Sequence, residues 1–362
     1  MSSSHRHSIF CILPPHVLRN IARYGSAEQR EAALNTLALD QTLRTTRLTF
    51  SLAGGLKIPH PEAALAPPQE KRTIHDAQNK QRLPGKLVRA EGQAPVSDKA
   101  ADEAYDGLGD TFNFYLKAYS RNSIDNAGMP LVASVHFGRN YDNAFWNGKQ
   151  MVFGDGDNVL FTGFTGSTDV IGHELTHGVT GSEANLTYQG QSGALNESIS
   201  DVFGSMVKQY KLKQKAEDAD WLIGAGILAP GINGKALRSM KEPGTAYDDP
   251  KLGKDPQPAT MAGYLDTAED NGGVHTNSGI PNHAFYLAAA AIGGYSWEKA
   301  GQIWYDTLVD HNLKANASFA TFANLTVSHA GSRYGASSLE QKAVLDAWSK
   351  VGVISTPKAA AA

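Results

Sequence analysis

Residues 172–178 read GHELTHG, with two histidines four residues apart and a glutamate directly after the first. On a helix, His173 and His177 lie one turn apart on the same face, so both imidazoles can reach one ion at about 2.0–2.1 Å. Glu174 is rotated by about 100° from His173 and therefore lies beside such an ion rather than on it. The stretch predicts a helix that binds zinc.

A third ligand is expected, because a catalytic zinc ion takes three protein ligands and keeps a fourth position open. The stretch GALNESISDVFG at 193–204 supplies Glu197 on the next predicted helix. Asp201 follows one turn later on the same face and is suited to accept the free ring N–H of a ligand histidine. Both carboxylates stand among apolar residues, and buried carboxylates need partners such as a metal and its histidine.

Length and composition exclude several classes of protein. A chain of 362 residues exceeds what one hydrophobic core usually supports, so we expect two lobes and an appendage. The formal charge of −3 and the absence of Lys/Arg-rich blocks argue against nucleic acid as a partner. No apolar run approaches the roughly 20 residues that a membrane span requires, so no membrane partner is expected.

The N-terminus carries one short apolar run, IFCIL at 9–13, before two prolines. It is too short for the apolar region of a signal peptide and lacks a small-residue cleavage motif. We therefore predict cytoplasmic synthesis without a classical signal peptide, and a non-classical route if the protein is secreted. Cys11 is the single cysteine, which excludes an intrachain disulfide.

Helical and strand patterns divide the chain into zones. Residues 14–46 look helical, with Ser26 and Gln29 spaced as a capping box, and the stretch after them is rich in Pro, Gly and Ala. From about residue 70 to 165 the pattern is mixed, with strand-rich stretches around one amphipathic helix near 98–120, and helical patterns dominate from about 166. We predict an α+β protein with these parts: segment 1–50, linker 51–69, β-rich lobe 70–180 including the HELTH helix, helical lobe 181–355 and tail 356–362.

Five motifs stand in one order along residues 72–354: NAFW at 143–146, HELTH at 173–177, GALNESISDVFG at 193–204, RSM at 238–240 and DNGGVHTNSG at 270–279. In these motifs and their order, the chain resembles the thermolysin-like neutral zinc metallopeptidases. The resemblance implies a two-lobed thermolysin-like fold, a Zn²⁺ cofactor and hydrolysis of peptide bonds within peptide or protein substrates.

The resemblance also assigns roles to single residues. It implies three metal ligands: His173, His177 and Glu197. It implies that Glu174 takes a proton from the attacking water and passes it to the leaving nitrogen. It implies a set of residues that support the substrate and the transition state: His275, Tyr188, Asp270, Arg238, Asn143 and Ala144. Asp201 is expected behind a ligand histidine, and Asp270 is expected to keep His275 protonated.

Five apolar positions match the hydrophobic pocket that receives the residue after the cleaved bond in this family: Phe161, Phe164, Val170, Ile223 and Leu237. Each could equally be an ordinary core residue. Together they imply cleavage before bulky hydrophobic residues.

Many relatives bind paired calcium ions near the third-ligand helix, and here the sequence departs from them. Asp169 and Asp220 match two of the calcium positions, but the other three hold Lys208, Leu222 and Ala225. Calcium takes six to eight oxygen ligands, and an ammonium group would repel it. We therefore do not expect calcium at this double site.

The front end is similar to the short prosegment of protealysin-like precursors. We expect it to act as an intramolecular inhibitor and to be removed by self-cleavage within roughly residues 45–60. Bulky residues there suit the inferred preference: Leu48, Phe50, Leu52 and Leu56. Cys11 admits two interpretations, a thiolate that contacts zinc in the precursor or a small buried apolar side chain.

Two other functions share parts of this pattern. A zinc aminopeptidase has the same HExxH-plus-Glu plan but needs an acidic group for a free amine, and no such motif stands beside NAFW. A catalytically inactive, zinc-stabilised binding protein would not need Glu174, His275 and Asp270. An assay with an internally quenched peptide, with and without chelator, separates these readings.

Overall fold

The structure is a computed structural model that describes residues 10–52 and 67–355. The predicted tail 356–362 and most of the predicted linker 51–69 lie outside these ranges. Within these ranges, side chains are described except at residues 10 and 43–52, so the predicted cleavage region between 45 and 60 has no side-chain description. None of the helices in the described ranges is both long and apolar enough to cross a membrane.

The N-terminal segment forms one strand and two helices: β1 (Phe10–Cys11), α1 (Pro15–Tyr24) and α2 (Ala27–Leu52). Pro15 occupies the first helical position, where a missing N–H costs nothing. The predicted capping box is confirmed, because Ser26 N donates to Gln29 Oε1 at 2.9 Å and Gln29 N donates to Ser26 Oγ at 3.3 Å. α2 runs past the predicted end at residue 46, since it contains no Gly or Pro.

The next part of the chain is rich in strands around one long helix: β2 (Arg72–Asp76), β3 (Lys86–Ala90), α3 (Lys99–Tyr119), β4 (Leu131–Val135), β5 (Ala144–Trp146) and β6 (Met151–Phe153). These five strands and β1 form a six-stranded sheet in the order β1-β5-β6-β4-β2-β3. The N-terminal segment therefore contributes the edge strand, and β1 pairs antiparallel with β5.

The remainder is largely helical: α4 (Thr168–Ser182), α5 (Gly190–Leu212), α6 (Asp270–Asn277), α7 (Gly279–Ile292), α8 (Ala300–Leu308), α9 (Phe319–Tyr334) and α10 (Leu339–Lys350). Four two-residue strands lie between α5 and α6: β7 (Leu222–Ile223), β8 (Arg238–Ser239), β9 (Asp248–Asp249) and β10 (Gly253–Lys254). A 3₁₀ turn covers Met261–Gly263. The α+β fold with a sheet-containing part and a helical part is confirmed.

Helices α4 and α5 touch backbone to backbone where two glycines meet. A Cβ atom on Gly172 would lie 3.1 Å from the Cα of Gly204, and one on Gly204 would lie 2.9 Å from the backbone nitrogen of His173. The first distance is tighter than nearly all real Cβ contacts, and the second is shorter than real Cβ atoms show, so glycine at these two positions permits the close approach. The contact brings the HELTH helix next to the helix that carries Glu197.

Candidate active site

Three buried side chains converge between α4 and α5. The Nε2 atoms of His173 and His177 lie 3.0 Å apart. The carboxylate of Glu197 approaches them at 3.5 Å and 3.6 Å, respectively. Among the residues of the described ranges, this is the one group of three potential ligands whose donor atoms all lie within 4.8 Å of one another.

The hydrogen bonds behind the two histidines indicate that a cation belongs between them. His173 Nδ1 lies 2.8 Å from Asp201 Oδ1, and His177 Nδ1 lies 2.8 Å from Asn196 Oδ1. Both oxygens are acceptors, so each Nδ1 carries the proton and the two Nε2 lone pairs face each other. Burial lowers the pKa of His177 well below its ordinary value, which favours the neutral imidazole that a metal requires. This donor set fits zinc.

Glu174 lies beside this group with one oxygen held and one free. Trp146 N donates to Glu174 Oε2 at 2.9 Å, whereas Oε1 is buried and has no hydrogen-bond partner in the described part of the chain. Burial, together with the nearby charge of Glu197, raises the pKa of Glu174 well above its ordinary value. A buried carboxylate of this kind is suited to accept a proton from water.

A left-handed turn holds His275 opposite the histidine pair. Residues 270–273, DNGG, all have positive φ angles between 49° and 85°, a conformation that suits Asn and Gly. The turn brings Asp270 Oδ1 to 2.8 Å from His275 Nδ1 and Oδ2 to 3.0 Å from His275 N. Burial acts to lower the pKa of His275, but the charges of Asp270 and Glu197 outweigh it and raise the pKa to about 9.

Two further side chains border the same space. Tyr188 O–H donates to Glu197 Oε1 and lies 3.3 Å from His275 Nε2. Arg238 donates from Nε and Nη2 to the two oxygens of Asp201, both at 2.8 Å. Burial acts to raise the pKa of Asp201, but Arg238 and His173 hold it below its usual range.

The N-terminal segment occupies the cleft with its backbone. Ile12 N donates to Ala144 O at 3.2 Å, and Leu13 N donates to Asn143 Oδ1 at 3.0 Å. Arg238 Nη1 donates to the Ile12 carbonyl at 3.0 Å. Three of the predicted substrate-supporting residues, Asn143, Ala144 and Arg238, thus lie together in one cleft and bind a peptide backbone, which is the chain's own.

Cys11 turns its backbone rather than its thiol toward the site. His275 Nε2 lies 3.0 Å from the carbonyl oxygen of Cys11. The Cys11 side chain is fully buried in a cluster with aromatic and aliphatic residues: Ala77, Phe137, Tyr141, Phe145 and Val152. Its sulfur is not a member of the potential metal-binding group. The geometry therefore favours the interpretation of Cys11 as a small buried apolar residue.

The five predicted pocket residues are all buried, with exposed fractions between 0% and 2%: Phe161, Phe164, Val170, Ile223 and Leu237. They belong to the main hydrophobic core of the protein, which also includes the fully buried Ile12. β7 and β8 pair Ile223 with Arg238, which places an apolar side chain and the cation that binds the Ile12 carbonyl in register.

Lys208 lies between Asp169 and Asp220, the two carboxylates that the resemblance assigned to the predicted calcium positions. Its ammonium lies 2.9 Å from Asp169 Oδ2 and 2.9 Å from Asp220 Oδ1. It also donates to the Leu222 carbonyl at 2.6 Å. Burial acts to lower the pKa of Lys208, but the two carboxylates raise it above its ordinary value, so the ammonium stays charged.

Sequence reasoning missed several residues of this site. Asn196 bonds the second ligand histidine, and its position beside Glu197 on a buried helix was a readable signal. On α2, Asp40 accepts from Tyr141 O–H at 2.5 Å and from Asn143 Nδ2 at 3.0 Å. These contacts join residues more than 100 positions apart, and no local pattern indicates them.

The fold and this site define a class of protein. A HExxH helix, a glutamate from the following helix and a glutamate beside the metal position are the arrangement of the zinc metallopeptidases. The comparisons with known proteins identify the family within this class.

The family profile described as "Thermolysin metallopeptidase, catalytic domain" matches residues 63–181, and "Thermolysin metallopeptidase, alpha-helical domain" matches residues 184–353. An "Extracellular metalloprotease" of Pectobacterium carotovorum subsp. carotovorum is 55% identical over 345 residues, which is 95% of this chain and 96% of that protein. A "Thermolysin" of Alicyclobacillus acidocaldarius subsp. acidocaldarius is 41% identical over 288 residues, covering 77% of this chain and 50% of that protein.

A solved structure is also similar, the "Precursor of Protealysin, Metalloproteinase from Serratia proteamaculans". It has a TM-score of 0.86 and 56% sequence identity, and the match covers 95% of this chain and 100% of that one. The chain belongs to the thermolysin family of metallopeptidases. It is a metalloendopeptidase, a hydrolase that acts on peptide bonds.

Proposed function

We propose that the chain is the self-processing precursor of a zinc endopeptidase that cleaves before bulky hydrophobic residues. The observation that carries the proposal is the backbone of Ile12 and Leu13, which continues from β1 and is hydrogen-bonded in the cleft to Ala144, Asn143 and Arg238. An extended peptide that pairs with a strand edge is a common mode of substrate binding.

Each residue of the site has a role in this reaction. His173, His177 and Glu197 hold zinc, which when bound supplies Lewis-acid activation of water and of the substrate carbonyl. Glu174 takes the proton of the attacking water through its free Oε1 and passes it to the leaving nitrogen.

The remaining residues orient the substrate. His275, kept protonated by Asp270, and Tyr188 donate to the carbonyl oxygen as it gains charge. Asn143, Ala144 and Arg238 fix the backbone after the cleaved bond.

The preference for bulky hydrophobic residues rests on the buried position of Ile12. Ile12 is 0% exposed and belongs to the main hydrophobic core, which also includes the predicted pocket residues. A peptide series that differs only at the residue after the cleaved bond tests this. We expect kcat/KM to fall in the order Leu or Ile, then Ala, then Asp, and equal rates would contradict the preference.

The N-terminal segment acts as an intramolecular inhibitor in this proposal. Beyond the cleft, α1 lies on the body through His16 Nε2 and Tyr247 O–H at 2.8 Å, and through Asn20 Nδ2 and the Leu252 carbonyl at 2.9 Å. Arg19 forms an ion pair with Glu269. A substrate cannot enter while these contacts hold, so removal of the segment is required for activity.

We place the self-cleavage within roughly residues 45–60, in keeping with a prosegment of residues 1–50, a linker of 51–69 and catalytic lobes of 70–180 and 181–355. Intact mass and N-terminal sequencing of wild type and Glu174→Ala test this. The wild type is expected to shorten and the variant to stay at full length. Wild-type protein that stays intact and yet fully active would contradict it.

Two remaining parts of the proposal concern calcium and location. The Lys208 ammonium between Asp169 and Asp220 supports a body that needs no calcium at the double site. The name of the Pectobacterium relative, "Extracellular metalloprotease", supports action outside the cell. Peptides or proteins are the substrates, inside the cell or outside it.

A further inference from the structure

The geometry points to the Cys11–Ile12 peptide bond as a second cleavage site of the enzyme within its own prosegment. This inference rests on the proposed function and deepens it. The prosegment is then held as a substrate that is cut slowly, and the cut releases the residues that precede Ile12.

The prosegment crosses the cleft in one continuous direction. β1 pairs antiparallel with β5, with Phe10 opposite Trp146 and Cys11 opposite Phe145. The pairing continues at Ile12, whose N–H donates to Ala144 O at 3.2 Å. Strand pairing thus holds the segment before the Cys11–Ile12 bond, and the hydrogen bonds of Ile12 N and Leu13 N hold it after that bond.

The carbonyl groups on either side of Ile12 N identify the presented bond. The Cys11 carbonyl oxygen lies 3.0 Å from His275 Nε2, and the same Nε2 is 3.6 Å from Glu197 Oε2. The next carbonyl, that of Ile12, accepts from Arg238 instead. The Cys11 carbonyl is therefore the one beside the metal-ligand group and its charged hydrogen-bond donor.

The proposed base, Glu174 on α4, is hydrogen-bonded to the strand β5 that pairs with the prosegment. Glu174 Oε2 accepts from Trp146 N, and Trp146 is the residue opposite Phe10. Its second oxygen is buried and has no hydrogen-bond partner in the described ranges. A water that donates to this oxygen can attack the carbonyl carbon of Cys11.

The reaction balances with water alone. The water oxygen bonds to the Cys11 carbonyl carbon, and the bond from that carbon to Ile12 N breaks. One water proton passes through Glu174 to Ile12 N, so the products are a carboxyl group at Cys11 and an amine at Ile12. The residue after the bond is Ile12, which fits the proposed preference.

The contacts of the residues that follow the cleaved bond make the cut slow. Arg238 holds Ile12, Asn143 holds Leu13, and Tyr247 holds His16 in the first turn of α1. The new amine at Ile12 therefore stays beside the new carboxyl group, and resynthesis of the bond competes with release. Loss of residues 1–11 removes β1 and uncovers β5, the strand on which a substrate would pair before its cleaved bond.

The first test needs no turnover. Amide hydrogen exchange is measured on the full-length Glu174→Ala precursor, with and without zinc. We expect the Ile12 and Leu13 amides to exchange at least about a hundredfold more slowly than in an unstructured chain, because they donate to Ala144 O and Asn143 Oδ1. Exchange at the unstructured rate would overturn the register on which the inference depends.

The second test follows the N-termini of the wild-type precursor with time by intact mass and sequencing. We expect a fragment that ends at Cys11 and a chain that begins at Ile12, both absent from Glu174→Ala. The cut within 45–60 in the same molecules serves as internal reference. Ile12→Leu should retain the Cys11–Ile12 cut within about threefold, and Ile12→Asp should slow it at least about tenfold relative to the reference.

An internally quenched reporter peptide separates the two possible failures. Wild-type protein that cleaves the reporter while every prosegment fragment keeps its Cys11–Ile12 bond would overturn the inference and leave the proposed function standing. Failure to cleave the reporter would overturn the proposed function itself. An Ile12→Asp cut as fast as that of Ile12→Leu would also overturn the inference, because the bond would then be cut without regard to its position in the cleft.

Discussion

The guanidinium of Arg238 and the carboxylate of Asp201 form a fully buried pair with two hydrogen bonds of 2.8 Å. The same carboxylate bonds the ring of the metal-ligand histidine His173 and the side-chain amide of Asn282. One residue thus orients both a metal ligand and the cation that binds the peptide carbonyl. A change in Asp201 therefore acts on metal binding and on peptide binding together.

Asp201→Asn should weaken zinc binding by about 10–100-fold, because the His173 ring loses its charged acceptor. It should also lower the free energy of unfolding by about 3–5 kcal/mol, since Arg238 stays buried without a counter-charge. Zinc titration and denaturant unfolding measure the two effects. Asn282→Ala, which removes one neutral donor from the same carboxylate, is the matched control and should cost about 1 kcal/mol. Equal effects of the two variants would contradict the coupling.

Glu174→Ala should reduce hydrolysis of a quenched peptide by at least about a thousandfold, because the substitution removes the proton acceptor. Zinc content should stay at one per chain, since the ligand side chains are intact. Turnover above a thousandth of the wild-type value would show that another group is the base.

Glu197→Ala should lose zinc as well as activity, because two histidines alone leave the site one ligand short. Metal analysis after dialysis against a weak chelator measures this. Full zinc occupancy in the variant would mean that the third ligand is a different residue.

Lys208→Met should destabilise the protein by about 3 kcal/mol, because it leaves the buried carboxylate of Asp169 without its cation. Lys211→Met on the same helix is the control, since Lys211 and Asp110 form a partly exposed pair whose loss costs at most about 1 kcal/mol. Removal of calcium at saturating zinc should leave the wild-type Tm nearly unchanged. A large drop in Tm would indicate a calcium site elsewhere.

Acid should loosen the prosegment through His16. Burial lowers the pKa of His16 to about 4, although Asp270 acts to raise it, and His275, Arg19 and Arg238 lower it further. The undocked segment takes up the proton at about 6.5, so docking is strongest above that pH and weakens by up to about 3 kcal/mol as the pH falls to about 4.

The buried thiol of Cys11, the single cysteine, reports this release. In the Glu174→Ala precursor, labelling by a dithiodipyridine, which reacts with thiols in acid, should accelerate between pH 6.5 and 4. The acceleration should be largely absent in His16→Gln, which cannot take up the proton. The same pH dependence in both proteins would show that another group controls docking.

The metal ligands could be predicted because their information is local. His173 and His177 follow from helical spacing, and Glu197 follows from its place among apolar residues on the next helix. The backbone conformation within a motif was harder to predict, since DNGG at 270–273 gives no direct sign that four successive residues adopt positive φ angles. The three-residue strand β5 was identified by resemblance alone, because so short an element has no periodicity.

Contacts of the prosegment were the hardest to foresee. Sequence reasoning favoured the cleft as its location but considered the thiol of Cys11 rather than its carbonyl. Strand register decides whether the thiol or the carbonyl of Cys11 points toward His275, because a shift of one residue reverses the side-chain direction. The pairing of Asp40 with Tyr141 and Asn143 depends on how two separate parts of the chain dock, which no local pattern encodes.

The backbone contact between Gly172 and Gly204 has a consequence for surveys of related sequences. Neither glycine bears a functional group, yet the distance between their helix axes decides whether two histidines and a glutamate meet at one point. A chain that kept HELTH and its distant glutamate but carried bulkier residues at this crossing would hold every ligand and still lack a metal centre. Searches for peptidases in genomes therefore gain discrimination when they score the two small residues that set the spacing along with the three that bind.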